Sequence, residues 1–180
     1  MDIRKTELEN IMKGKIFEEY SREKEPTKYY KTYAWKTAIG LQRVDGLEPS
    51  EYLIKTAEQN IKGDINFDEA HKLITSYYKE SKSKSERTEE ADKVSVRIAE
   101  IISEKSFVFS PVEFTTIHRR LFEGIYSHAG KIRDYNITKD EWVLDGDTVI
   151  YGNAVNLRET LEYDFGVERN FSYNRLSTED

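Results

Sequence analysis

Apolar residues recur along this chain at three- to four-residue spacing, interrupted by Gly, Pro and polar runs, and that rhythm predicts a succession of amphipathic helices. Ile3, Leu8, Ile11, Ile16, Phe17 and Tyr20 predict a helix over about 2–23, and Pro26 ends the region. Tyr30, Ala34, Ala38 and Leu41 predict a second from about Thr27 to Val44, stopped at Asp45-Gly46 because Gly accepts the left-handed conformation of a helix end. Pro49-Ser50 opens a third, with Leu53, Ile54, Ala57 and Ile61 on one face and Gly63 closing it. Asn66 and Glu69 have the spacing of a capping box, ahead of a fourth helix carrying Phe67, Ala70, Ile74, Tyr77 and Tyr78.

The pattern then lapses. Lys79 to Glu86 holds no apolar residue, which predicts a solvated linker over 81–87 between a helical module at 1–80 and a second domain at 88–180. A helix from about Thr88 to Glu104 resumes with Ala91, Val94, Ile98, Ile101 and Ile102. Ser110-Pro111-Val112-Glu113 is a helix start, with Ser as N-cap, Pro in the first turn and Glu at the capping-box position. Phe114, Ile117, Leu121, Phe122 and Ile125 form the expected buried face of that helix, and Gly130 lies beyond it. After Gly130 the period shortens towards alternation. Arg133 to Thr138 leans to strand, and Trp142-Val143-Leu144 and Thr148 to Tyr151 flank Asp145-Gly146-Asp147, a hairpin turn signal. A helix is expected again from Asn153, through Val155, Leu157, Leu161 and Phe165, and Ser177-Thr178-Glu179-Asp180 reads as an N-cap with an acidic first turn. The fold class expected is mainly α with one β-hairpin.

Charge narrows the function classes. The net charge is -6, and acidic residues interleave with the Lys/Arg clusters, so no basic stripe is available to displace counterions from nucleic acid. With 34% charged residues and twelve Tyr, eight Phe and two Trp, the chain has material for helices that bury one face and solvate the other. It has no Cys, hence no disulfide and no thiolate metal site. Met1-Asp2-Ile3-Arg4-Lys5 runs into charge without an apolar core, so no signal peptide is expected. No apolar run approaches the roughly 20 residues of a membrane span, and the expected location is cytoplasmic.

Catalytic chemistry is sparse. No histidine pair has metal spacing, and no metalloprotease, nucleophile-elbow or P-loop motif occurs. His71 sits mid-helix beside Lys72, and His128 stands at a helix end where a cation suits the dipole. His118 adjoins the apolar stripe; a packed histidine with a satisfied ring nitrogen is the favoured reading and a general base the minority one. Asp140, Glu141, Asp145 and Asp147 cluster around the hairpin, where acidic turn formers explain them better than a metal. No catalytic residue and no metal ligand is assigned.

The stretch from Ile117 to Arg133, with Arg133 to Lys139 after it, resembles the early core of Fic (Fido) proteins, where a helix of form IHxxLFxxIYxxAGxxR leads into a β-hairpin flap. His118, Leu121, Phe122, Tyr126, Ala129, Gly130, Arg133, Asn136, Ile137 and Lys139 fall in register. The resemblance covers about 88–180 and implies a partial Fic fold whose flap residues Asn136, Ile137, Thr138 and Lys139 bind the target. In the family an HxFx(D/E)GNGRxxR-like loop follows, whose His is the general base, whose acidic residue holds Mg2+ and whose Gly/Asn backbone cradles ATP. None of that motif is present, and its expected place falls beyond Asp180. The chain therefore resembles a front part truncated before the catalytic loop, needing no cofactor by itself, with ATP and Mg2+ implied for a complete member.

Residues from about Ala34 to Tyr78 look like the antitoxin-type helical segment of some Fic systems, which inhibits through a Ser/Thr-x-x-x-Glu-Gly/Asn motif. The nearest match is a degenerate one at Leu41, Asp45 and Gly46, with Leu in place of the hydroxyl residue and the shorter Asp in place of Glu; a helix C-cap explains the same residues. The activity implied is AMP transfer from ATP to a Ser, Thr or Tyr hydroxyl of a protein, by a chain inactive alone. The alternative is a non-catalytic, antitoxin-like regulatory or binding protein. Expected partners are a protein substrate or the missing C-terminal Fic half, with neither nucleic acid nor membrane.

Overall fold

A computed structural model of the chain describes residues 26–80, 86–104, 107–140 and 148–172. The helix expected over 2–23, the turn Asp145-Gly146-Asp147 with Trp142 to Leu144 before it, and the N-cap signal at Ser177 lie outside the described residues. The rest is mainly helical: α1 Pro26–Val44, α2 Glu51–Lys62, α3 Phe67–Glu80, α4 Glu86–Ser103, α5 Pro111–Phe122 and α6 Leu157–Asn170, with short strands β1 Thr138–Asp140 and β2 Thr148–Ile150 before α6. The chain divides into two compact units, Met1–Lys105 and Ser106–Asp180.

In the first unit, α1 to α4 surround one core of Ala34, Trp35, Ala38, Ile39, Leu53, Ile54, Ala57, Ile61, Ala70, Ile74, Tyr78, Val96 and Ala99. The division expected at 81–87 is displaced, because α4 contributes Val96 and Ala99 to that core and so belongs with the upstream helices. The buried arc of α1 is also rotated from the expected stripe. Ala34 and Ala38 are buried with Trp35 and Ile39, whereas Tyr30 and Leu41 are exposed, because the large apolar volume of Trp35 turns that side of the helix inward.

Local capping follows the sequence signals. Ser50 is the N-cap of α2, its side chain accepting from the Leu53 amide at 3.1 Å. Asn66 and Glu69 form the reciprocal capping box of α3, at 2.8 and 2.9 Å. Gly46, at φ 69°, ends α1: the Gly46 amide donates to the Arg43 carbonyl and the Leu47 amide to the Gln42 carbonyl, the paired bonds of a Schellman cap, with Leu47 buried beneath.

Two buried polar centres fix how the helices meet. Asn60, fully buried, accepts from Trp35 Nε1 at 3.1 Å and donates to the Ile65 carbonyl at 3.0 Å, joining α1, α2 and the α2–α3 turn. Asp92, also fully buried, accepts from the Ser50 amide at 2.8 Å, the Ser50 hydroxyl at 2.5 Å and the Tyr78 hydroxyl at 2.7 Å. One carboxylate thus joins the start of α2 to α3 and α4, across 42 residues of sequence. Burial first, and then the hydrogen bond to Asp92, pushes the Tyr78 phenol well above its ordinary range.

The second unit is thinner. None of the described residues of α5 or α6 is buried: Phe114 is 54% exposed, and Ile117, Leu121, Leu157 and Leu161 are only half-covered. The expected buried face of α5 therefore lies partly open among the described residues. That helix ends at Phe122, ahead of Ile125, where Gly124 takes φ 74°.

Candidate functional site

The second unit brings together the residues that the sequence pattern singles out between 114 and 139. Ser110 caps α5 by accepting from the Glu113 amide at 3.1 Å, with Pro111 in the first turn. The helix carries Phe114, Thr115 and His118 along one side, and the chain beyond it doubles back until Gly130 lies against that side. Only glycine fits there. A Cβ on Gly130 would sit 2.5 Å from the Arg119 Cβ and 3.2 Å from the Thr115 carbonyl oxygen, and its φ is 73°.

That close approach lets the Gly130 amide donate to His118 Nδ1 at 2.8 Å. An acceptor at Nδ1 requires the neutral ring to carry its proton on Nε2, so the tautomer is set by the backbone. Around it the rings of Phe122, His128 and Tyr126 form a cluster, with His118 5.1 Å from Phe122 and 6.1 Å from His128 by centroid. Tyr126 and His128 stack at 5.3 Å. His118 is thus a packed, hydrogen-bonded histidine, the favoured sequence reading.

Lys131, Ile132 and Arg133 continue alongside α5, and Leu157 and Leu161 of α6 close the other wall of a cleft of about 270 Å³. Phe109 stacks on Phe165 at 4.5 Å and ties the segment entering α5 to the second half of α6. From the cleft the chain enters β1, which pairs antiparallel with β2 in the register Thr138 to Ile150, Lys139 to Val149 and Asp140 to Thr148. Arg133 ties the chain entering this pair to the chain leaving it. Its guanidinium donates to the Tyr135 carbonyl at 2.6 Å and to the Gly152 carbonyl, while Asn136 Oδ1 accepts from the Ala154 amide at 2.8 Å.

The four residues expected to bind a target therefore divide. Asn136 uses its side-chain oxygen within the fold; Ile137 is 36% exposed; Thr138 and Lys139 offer strand backbone in β1. Leu41, Asp45 and Gly46 stand in the other unit, at the exposed end of α1, where Asp45 and Gly46 terminate the helix. Sequence reasoning missed the grip of Arg133, since nothing in a one-dimensional pattern links it to Gly152. It also missed Asp92, although a carboxylate between Ala91 and Val94 on an otherwise apolar stripe is the signal that finds it.

Among the described residues no three His, Asp or Glu side chains converge, and the sequence has no Gly-Asn-Gly cradle. No described helix is long and apolar enough to cross a membrane. Compared with known proteins, the chain matches no family model, no curated protein and no solved structure.

Proposed function

We propose that residues 117–139 are the target-recruiting front of a Fic-type protein adenylyltransferase, and that the chain works with a segment bearing the HxFx(D/E)GN motif, which its 180 residues lack. One observation carries the reading. Four residues in register with the Fic pattern, His118, Gly130, Arg133 and Asn136, are those whose bonds hold α5, the returning chain and the strand pair as one piece. The partly open apolar faces of α5 and α6 support it as well, because they suit further helices packed over them.

In this reading the strand pair lends an edge to a target segment, which adds as a strand by backbone pairing and presents its Ser, Thr or Tyr hydroxyl. The general base, the metal ligand and the phosphate cradle belong to the absent motif. The test is Ile137→Pro in this chain joined to a segment bearing the HxFx(D/E)GN motif. Proline removes a backbone donor beside β1, so modification of the target should fall; unchanged modification counts against strand pairing.

A second reading, an antitoxin-like binding protein, is favoured by the exposed row Tyr29, Tyr30, Tyr33, Leu41 and Val44 on α1. Capture of a complete Fic protein that silences its AMP transfer would support this reading over the first.

A further inference from the structure

The strand pair has three residues on each side, too little to hold an orientation by its own ladder. Its stem is tied instead by side chains. Arg133 bridges the carbonyl of Tyr135, on the way in, and that of Gly152, on the way out; Asn136 on the way in receives the amide of Ala154 on the way out. Arg133 also lines the cleft against His118, Leu157 and Leu161, so the group that closes the stem is seated on the helical body. At the exit, the Asn153 side chain accepts from the Val155 amide at 3.1 Å and starts the short turn into α6.

We infer that Arg133 and Asn136 are positioning residues: together they close the base of the β1–β2 pair and set the angle at which its free edge leaves the helices. A planar guanidinium suits the role because it reaches two carbonyls at once, whereas an ammonium is a point donor on a flexible stem. Asn136, expected from sequence to touch the target, acts on the target through the stem. That last consequence rests on the proposed reading of the strand pair as a flap; the clamp itself does not.

The experiment is amide hydrogen exchange with 15N relaxation on the whole chain, for Arg133→Gln, Arg133→Lys, Asn136→Leu and Asn136→Asp. Arg133→Gln and Asn136→Leu should speed exchange in Thr138–Asp140 and Thr148–Ile150 by about tenfold, the loss of one or two hydrogen bonds. Order parameters there should fall from about 0.85 towards 0.6, while α5 and α6 keep theirs. Asn136→Asp retains the acceptor and should restore the wild-type values; Arg133→Lys should not. Unchanged exchange in both strands overturns the inference. So does loss of protection spread evenly through α5 and α6, which makes Arg133 a residue of general stability. Because no target is used, failure here is distinct from failure of the flap reading, which Ile137→Pro in the chain joined to the HxFx(D/E)GN segment reports.

Discussion

Asp92 joins α2, α3 and α4 through one buried carboxylate, and Asp92→Ala measures what that junction is worth. The substitution removes the acceptor of three donors: the Ser50 amide, the Ser50 hydroxyl and the Tyr78 hydroxyl. At about 1 kcal/mol or more for each bond, with donors left unsatisfied where Asp92 is fully buried, the loss is about 3 kcal/mol. That is a large share of the roughly 5–15 kcal/mol available to a domain. Asp92→Asn keeps one oxygen as acceptor and puts an amide NH2 where the other stood, so it should cost less, about 1–2 kcal/mol. Asp64→Ala, on the exposed turn after α2, is the control and should stay within about 0.5 kcal/mol. Urea unfolding, followed by far-UV ellipticity and by Trp35 fluorescence in a Trp142→Phe background, gives the values. With a slope of about 2 kcal/mol per molar, Asp92→Ala should lower the midpoint by about 1.5 M. A loss below about 1 kcal/mol would refute the view that this carboxylate organises the helix junction.

Tyr78 gives a pH signature of the same junction. Its folded phenol is held protonated by burial and by Asp92, so the stability it contributes is complete below the unfolded value near 10 and declines as pH rises past it. Unfolding free energy, followed by denaturant titration at each pH, should fall above about pH 10 in wild type more steeply than in Tyr78→Phe. Gly130→Ala should destabilise the second unit by more than about 2 kcal/mol, combining a left-handed backbone with a clash at the Arg119 Cβ. Gly124→Ala has the same backbone strain but open space, and should cost only about 1 kcal/mol; the 15N shift of His118 Nδ1 should move in the first variant and not in the second.

Helix positions and their caps were legible in the sequence because they depend on neighbours a few residues apart: Ser50, the Asn66–Glu69 box, Gly63 and Ser110 all act within one turn. What each helix buries was less legible. Tyr30 and Leu41 fit the α1 stripe by period, yet Trp35 and Ile39 point inward, since several apolar arcs on one helix can satisfy the same spacing and only the packed neighbours decide. The linker composition at 81–87 marked an interruption of the apolar pattern and not a division of the core, for Val96 and Ala99 pack back on the upstream helices. In the candidate site, Gly130 was visible as punctuation, but its contact with His118, twelve residues away, depends on the return path of the chain. The Arg133 to Gly152 tie spans nineteen residues and leaves no periodic trace.

On the proposed reading, this chain carries the target-recruiting part of an adenylyltransferase without the groups that move AMP. The direct measurement is incubation of the purified 180-residue chain with ATP labelled in the α-phosphate, Mg2+ and cell lysate, beside the same chain joined to a segment bearing the HxFx(D/E)GN motif. The chain alone should label no protein, because positioning and neutralising the phosphates dominates this chemistry and nothing in its sequence supplies that cradle. The joined protein should label a target. Label transferred by the chain alone and abolished by His118→Ala, or no transfer by the joined protein, would contradict the account.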